Sequence, residues 1–163
     1  MADETAQNIP DENMRARINN ALKDSIKSGQ KRRISTLRLI NAAIKDRDIA
    51  ARGADKMEGV TDDEILEILS KMVKQRVEAA KTYEEAGRAE LAEQEREEIQ
   101  IIHDFLPRQL DKAELQAAVE GVITTLGATS LKDMGKVMGE LKSRYAGQMD
   151  FGEAGALVKK QLG

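Results

Sequence analysis

This sequence predicts an all-α fold, and three observations carry that prediction. Ala, Leu, Glu, Lys and Arg are abundant, while Gly (12) and Pro (2) are sparse among 163 residues, a composition that favours helices. No run of alternating β-branched residues is bounded by turn residues, so strand signals are missing. Helix start and stop signals recur instead along the whole chain. Aromatic residues make up 2%, so the core has to be aliphatic, with seven Met as conformable fillers.

Taken in order, Pro10-Asp11 opens a first helix whose Met14, Ile18, Leu22 and Ile26 recur at i+4, with Gly29 as its C′ residue. A second runs from Lys31 to about Ala51 with Ile34, Leu37, Ile40 and Ile44 turned inward and Gly53 past its end. ADKMEGV is then a loop. Thr61 with Glu64 forms a capping box, stapled by Val60 against Ile65, and opens a third helix that reaches Glu85 before Gly87 breaks it. A fourth runs from Ala89 to about Phe105, stopped because the residue before Pro107 is pushed out of the α region. Beyond Pro107 the helices shorten. Asp111 with Glu114 caps one that ends at Gly127, Ser130 caps another through about Arg144, and Asp150 with Glu153 caps the last. The expected organisation is an N-terminal domain of long helices, residues 1–106, followed by a compact C-terminal three-helix domain, residues 107–163. No internal repeat or low-complexity tract interrupts it.

Several function classes are excluded at this stage. With no cysteine there are no disulfides, thiolate metal sites or thiol nucleophile, in keeping with a reducing cytoplasm. MADETAQNIPDEN lacks the basic and apolar regions of a signal peptide, and no apolar run approaches the roughly 20 residues a membrane span requires. A soluble cytoplasmic protein is the expectation. The lone His103, in IIHDFLP, has no nucleophile motif beside it, and neither HExxH, a glycine-rich phosphate loop nor an acidic metal-ligand signature is present. No catalytic residue, metal site or cofactor is expected.

Charge is unevenly distributed. Lys31, Arg32, Arg33, Arg38, Lys45 and Arg47 stand against only Asp46 and Asp48 between residues 31 and 49, whereas seven Glu face Arg88 and Arg96 between residues 84 and 98. The two segments can pair with each other. Alternatively, Lys31, Arg38 and Lys45, spaced by seven with Asn41 beside them, form a stripe able to follow a phosphate backbone. Solvated or paired flank and anion grip both remain open on the residues alone. So few aromatics limit stacking on single-stranded bases, leaving backbone and shape recognition of structured RNA. Ala42, Ala43 and Ala50 are too small for a membrane-surface helix.

Charges also fall where an apolar face should be. On the third helix Ile65, Leu69, Met72, Val73, Ala80 and Tyr83 share one stripe with Arg76 near its middle; on the fourth, Glu95 and Glu98 fall inside the face of Leu91, Ile99, Ile102 and Leu106. If Gly87 closes an antiparallel pair, Arg76 and Glu98 lie eleven residues either side of it. A structural ion pair of Arg76 with Glu98, Glu95 nearby, is the expectation, with the guanidinium holding both carboxylates ionised. In KDMGKVMGELK, Gly135 and Gly139 sit at i, i+4 inside a helix, where each costs about 1 kcal/mol relative to Ala. Either a neighbouring helix or a nucleic-acid backbone or partner approaches there, with Lys132, Lys136, Lys142 and Arg144 close by.

RRISTLRLINAAIKDRDI, KMVKQRVEAAKTYEEAGRAELAEQEREEI, FLPRQL and KDMGKVMGEL follow one another over nearly the whole chain. Together they resemble the small YqeY-type proteins, related to the tail domain of the B subunit of the glutamine-dependent aspartyl/glutamyl-tRNA amidotransferase. YAGQMDFGEAG departs from the family's more basic, Gly-Lys-containing turn before the last helix. The resemblance implies a two-part helical fold and a tail that helps hold tRNA. It also implies an association with carbon–nitrogen ligase activity using glutamine as amido-N-donor, whose chemistry lies in another domain. The expected function is thus a non-catalytic accessory module that binds tRNA or another structured RNA, or attends an amidotransferase or translation factor. The RNA contacts would be Lys31, Arg38, Asn41, Lys45, Lys132, Gly135, Lys136, Gly139 and Lys142, with neither DNA nor membrane as partner. A protein–protein adapter without RNA contact is the alternative.

Overall fold

The computed structural model describes residues 13–54 and 59–163, and every regular element among them is helical. The chain divides into two compact units, Met1–Phe105 and Leu106–Gly163. Pro10-Asp11 and most of the ADKMEGV loop lie outside the described residues.

In the first unit, α1 spans Met14–Ser28, α2 Lys31–Gly53, α3 Asp62–Glu85 and α4 Ala89–His103. Asn13 starts α1 by accepting the Ala16 N–H at 2.9 Å, and Gly29 ends it at φ 70°, a left-handed conformation that glycine adopts without steric penalty. Ile18, Leu37, Ile40, Ile65, Leu69 and Ile102 are fully buried. They place the core between the α1–α2 and α3–α4 pairs, with α2 also lying against α4.

Ile26 departs from expectation: it is 50% exposed, and Ser25 is buried instead. An i+4 series drifts about 40° per step at 3.6 residues per turn. Ile26 has therefore rotated far from Met14, and position 25 returns over it. Ser25 Oγ donates to Ala21 O at 2.7 Å, so its burial leaves no unmet donor. Gly53, expected past the end of α2, is its last residue.

At the head of α3, Thr61 Oγ1 accepts the Glu64 N–H at 3.2 Å, with Val60 and Ile65 both buried. The approach to α3 is tied to α2 by one carboxylate. Asp48 accepts both Arg15 terminal nitrogens, at 2.9 and 2.5 Å, and the Val60 N–H at 2.9 Å. These bonds from a guanidinium and a backbone amide hold its pKa down at about 2. Gly59, at φ 80°, passes so close that a Cβ there would meet Asp48 Oδ1 at 2.6 Å.

α4 stops at His103, short of the expected Phe105. The Phe105 ring turns inward, 5% exposed, with the guanidinium carbons of Arg17 and Arg33 at 5.7 and 5.8 Å from its centroid. Arg33 also binds the Asp104 carboxylate at 2.7 Å. The Asp104 and Phe105 N–H groups bond to the Ile101 and Ile102 carbonyls, a 3-10-type tightening that closes the helix, while cation–π attraction and this ion pair hold the segment against α1 and α2.

In the second unit, α5 Lys112–Leu126, α6 Met134–Arg144 and α7 Phe151–Leu162 enclose Val119, Val122, Val137, Leu141, Ala154 and Val158. Asp111 and Glu114 form a full capping box, and Gly127 ends α5 at φ 63°. The Ser130 start is modified, since a 3-10 turn over Leu131–Asp133 precedes α6. There the Asp133 carboxylate accepts the Thr129 and Ser130 N–H groups. Asp150 opens α7 by accepting the Gly152 N–H at 2.7 Å.

Two candidate nucleic-acid interfaces

The basic residues of α2 separate into two groups. Arg32 binds Glu97 of α4 at 3.2 Å and Arg33 binds Asp104, so part of the positive charge is paired inside the fold. Lys31, Arg38 and Lys45 stand exposed and make no ion pair among the described residues. Seven residues are nearly two helical turns, so the three follow one another down the side of α2 turned away from Ile40. Arg52, also exposed, continues the seven-residue spacing. It escapes a reading in which the helix stops at Ala51. Asn41 is half-buried, and its amide donates to Asn19 Oδ1 at 3.3 Å; it serves the α1–α2 contact more than the stripe. A shallow open depression beside the stripe is lined by Lys31, Arg32, Ser35 and Glu97.

The second basic face belongs to α6. Lys132, Gly135, Lys136, Gly139 and Lys142 are all exposed. A Cβ built on Gly135 or Gly139 would meet nothing within 4 Å. Among the described residues no neighbouring helix approaches the two glycines, which corrects that alternative. The close helix packing falls instead at Gly155 of α7, whose Cβ position lies 3.8 Å from the Met134 and Met138 methyl carbons. At 100° per residue Gly135, Gly139 and Lys142 share one outward stripe of α6 with Lys136 on its flank, and Lys132 lies in the 3-10 turn just before it. The result is a smooth backbone surface bordered by three ammonium groups.

In the α3–α4 pair, Arg76 Nε donates to Glu98 Oε2 at 2.9 Å, and the two side chains are 14% and 18% exposed. Arg76 also donates to Met72 O at 3.1 Å. Glu95 behaves differently from expectation. Burial first, and then repulsion by Glu98, raise its pKa against the pull of Arg76. One guanidinium bonded to Glu98 does not compensate a second half-buried carboxylate. Further along the same pair Arg96 binds Glu84. Among the described residues no group of three or more His, Asp or Glu is placed to hold a metal ion.

Periodicity of the inward face leaves two exposed aliphatics of α2 unassigned: Leu39 is 48% and Ile49 58% exposed. Their signal lies on the opposite side of the helix. Both fall off the buried face, three residues before Ala42 and seven after it.

The arrangement defines an all-helical module that presents a cationic helix face on each of its two units. Its family follows from comparison with known proteins: the model of the Yqey-like proteins matches residues 15–162, and the chain belongs to that family. It is 35% identical over 95 residues to an uncharacterised protein of Schizosaccharomyces pombe, a match spanning 58% of this chain and 73% of that protein. It is also 29% identical over 113 residues to altered inheritance of mitochondria protein 41, a mitochondrial protein of Lachancea thermotolerans, spanning 68% of this chain. That alignment reaches 58% of the mitochondrial relative's own length. Among the described residues no helix is long and apolar enough to cross a membrane.

Proposed function

We propose that this protein is a helical accessory module that holds a structured RNA, tRNA foremost, on the open face of α6. One observation carries the reading: Gly135 and Gly139 are exposed with empty space at both Cβ positions, between Lys132, Lys136 and Lys142. A helix that gives up propensity at two sites without packing return inside its own fold has its return outside it. Lysines bordering a bare backbone suit a ribose–phosphate chain, which can come close at the glycines while ammonium groups meet phosphates. Backbone recognition also needs no stacking platform, and Phe105 is committed to the interior. The amide-transfer chemistry associated with the family belongs, in this reading, to an amidotransferase partner acting on the tRNA in the cytoplasm; the mitochondrial designation is that of the relative.

The test is the salt dependence of binding to bulk tRNA, followed by fluorescence anisotropy from 50 to 300 mM salt. Lys132, Lys136 and Lys142 replaced together by Ala should weaken binding and flatten the log–log salt slope by about two, at ~0.7–0.9 per phosphate contact. Unchanged affinity and slope would remove α6 from the RNA. A protein–protein adapter is the second reading, favoured by the exposed Leu39 and Ile49.

A further inference from the structure

The outward side of α2 carries a pattern that phosphate binding does not require. Ser35, Leu39, Ala42, Asp46 and Ile49 alternate by four and three residues, the spacing of a coiled-coil seam. All five are exposed. Leu39 and Ile49, 48% and 58% accessible, are the large aliphatics of that seam, and Ala42 between them leaves room for a facing side chain. Along one flank run Lys31, Arg38, Lys45 and Arg52, one per heptad and all exposed. Lys31, Arg38 and Lys45 make no ion pair among the described residues. An RNA backbone would use the cations and gain nothing from Leu39 or Ile49. A helix would use both.

We propose that the outward face of α2 docks an amphipathic helix of a protein partner, with an aliphatic seam on Leu39, Ala42 and Ile49 and Asp or Glu residues opposite Arg38 and Lys45. Charge complementarity selects the occupant: cations on the flank of the seam pair with acidic flanks and repel basic ones. Asp46 within the seam sets the register, because a partner placing an aliphatic residue opposite it would bury an unpaired carboxylate. The contact develops the adapter reading and is independent of RNA binding by α6, which lies in the other unit.

The experiment uses the full chain and a fluorescent three-heptad peptide with Leu at its seam and Glu on both flanks, which stays monomeric at neutral pH through self-repulsion. Controls are a peptide of identical composition with a scrambled seam and a seam-matched peptide with Lys flanks. Binding of the Glu-flanked peptide, at least tenfold stronger than either control, is expected. Leu39→Ser with Ile49→Ser should abolish it while leaving tRNA affinity and helical circular dichroism unchanged. Arg38→Glu with Lys45→Glu should transfer preference to the Lys-flanked peptide. Equal binding of scrambled and matched peptides would overturn the proposal. So would a loss of tRNA affinity in the Leu39/Ile49 variant comparable to its loss of peptide binding, since the face would then belong to RNA.

Discussion

Replacing Gly135 and Gly139 by Ala separates what the helix needs from what a ligand needs. Both glycines are helical, and a methyl group at either meets nothing within 4 Å, so no clash offsets the gain in propensity. Gly139 lies inside α6 and should return the full helix-interior difference, about 0.8–1 kcal/mol. Gly135 is the second residue of α6, directly after the 3-10 turn, where fewer backbone bonds depend on it; about half that amount is expected. The pair should stabilise the protein by ~1–1.5 kcal/mol. For a cooperative unit the size of Leu106–Gly163 this corresponds to a rise in Tm of about 4–12 °C. Thermal unfolding by circular dichroism reads the first effect and tRNA anisotropy the second. The expected result is opposite signs: higher Tm and weaker RNA binding, because each methyl holds the ribose–phosphate chain off the backbone. A lower Tm would show that the glycines serve the fold, and tRNA affinity that stays the same or rises would show that nothing approaches them.

Asp48 gives a stability test with a defined pH window. Its pKa falls from 3.8 to about 2, so the stabilisation is complete above pH 4 and disappears as pH falls through 2. At 1.36 kcal/mol per unit the ceiling is ~2.4 kcal/mol. Arg15 is 36% exposed, and solvent screening reduces the expectation to ~1–2 kcal/mol. Urea unfolding of Asp48→Asn should show that deficit at pH 7 and progressively less toward pH 3; a pH-independent deficit would assign the effect to packing. Glu95 should behave with opposite sign. Its raised pKa penalises the folded state while the carboxylate is charged, so Glu95→Gln should stabilise the protein at pH 7, with the gain vanishing below the unfolded value of 4.5. Arg76→Ala, which leaves Glu98 without its partner, should cost ~2–3 kcal/mol in the same assay, whereas Arg76→Leu with Glu98→Leu should be close to neutral.

The helices were legible because their ends are marked by residues with strong local reasons to be there. Gly29, Gly87 and Gly127 take left-handed conformations, and Thr61, Asp111 and Asp150 accept amide protons at helix starts. What escaped depends on other parts of the chain. The inward turn of Phe105 beyond α4 is met by Arg17 and Arg33, two residues remote in sequence. The burial of Ser25 in place of Ile26 is the accumulated angular drift of a stripe that looks regular over four residues and turns aside over twelve. Asp48 attracts no notice as one acid among basic residues, since its amide partner Val60 is supplied by a different segment.

The basic run at the head of α2 admits two readings from sequence because its cations face different parts of the fold. Arg33 points along the buried side toward Asp104, Arg32 reaches Glu97, and Lys31, Arg38 and Lys45 point the other way. Cations one residue apart differ by 100° and therefore meet different neighbours, so counting charge over a window averages residues that do unlike things. The two on the inner side are neutralised by their own fold and add little to any ligand. Those outside share their face with Leu39 and Ile49, which bare phosphate binding would leave without purpose. On α6 Lys136 and Lys142 border exposed glycines, while the large exposed aliphatic nearby, Leu131 at 48%, sits beside Lys132 in the 3-10 turn before the helix. Two basic helices of one small protein thus present different surfaces, one suited to a side-chain seam and one to a close-lying backbone, and substitutions at Leu39 and at Gly139 should affect different ligands.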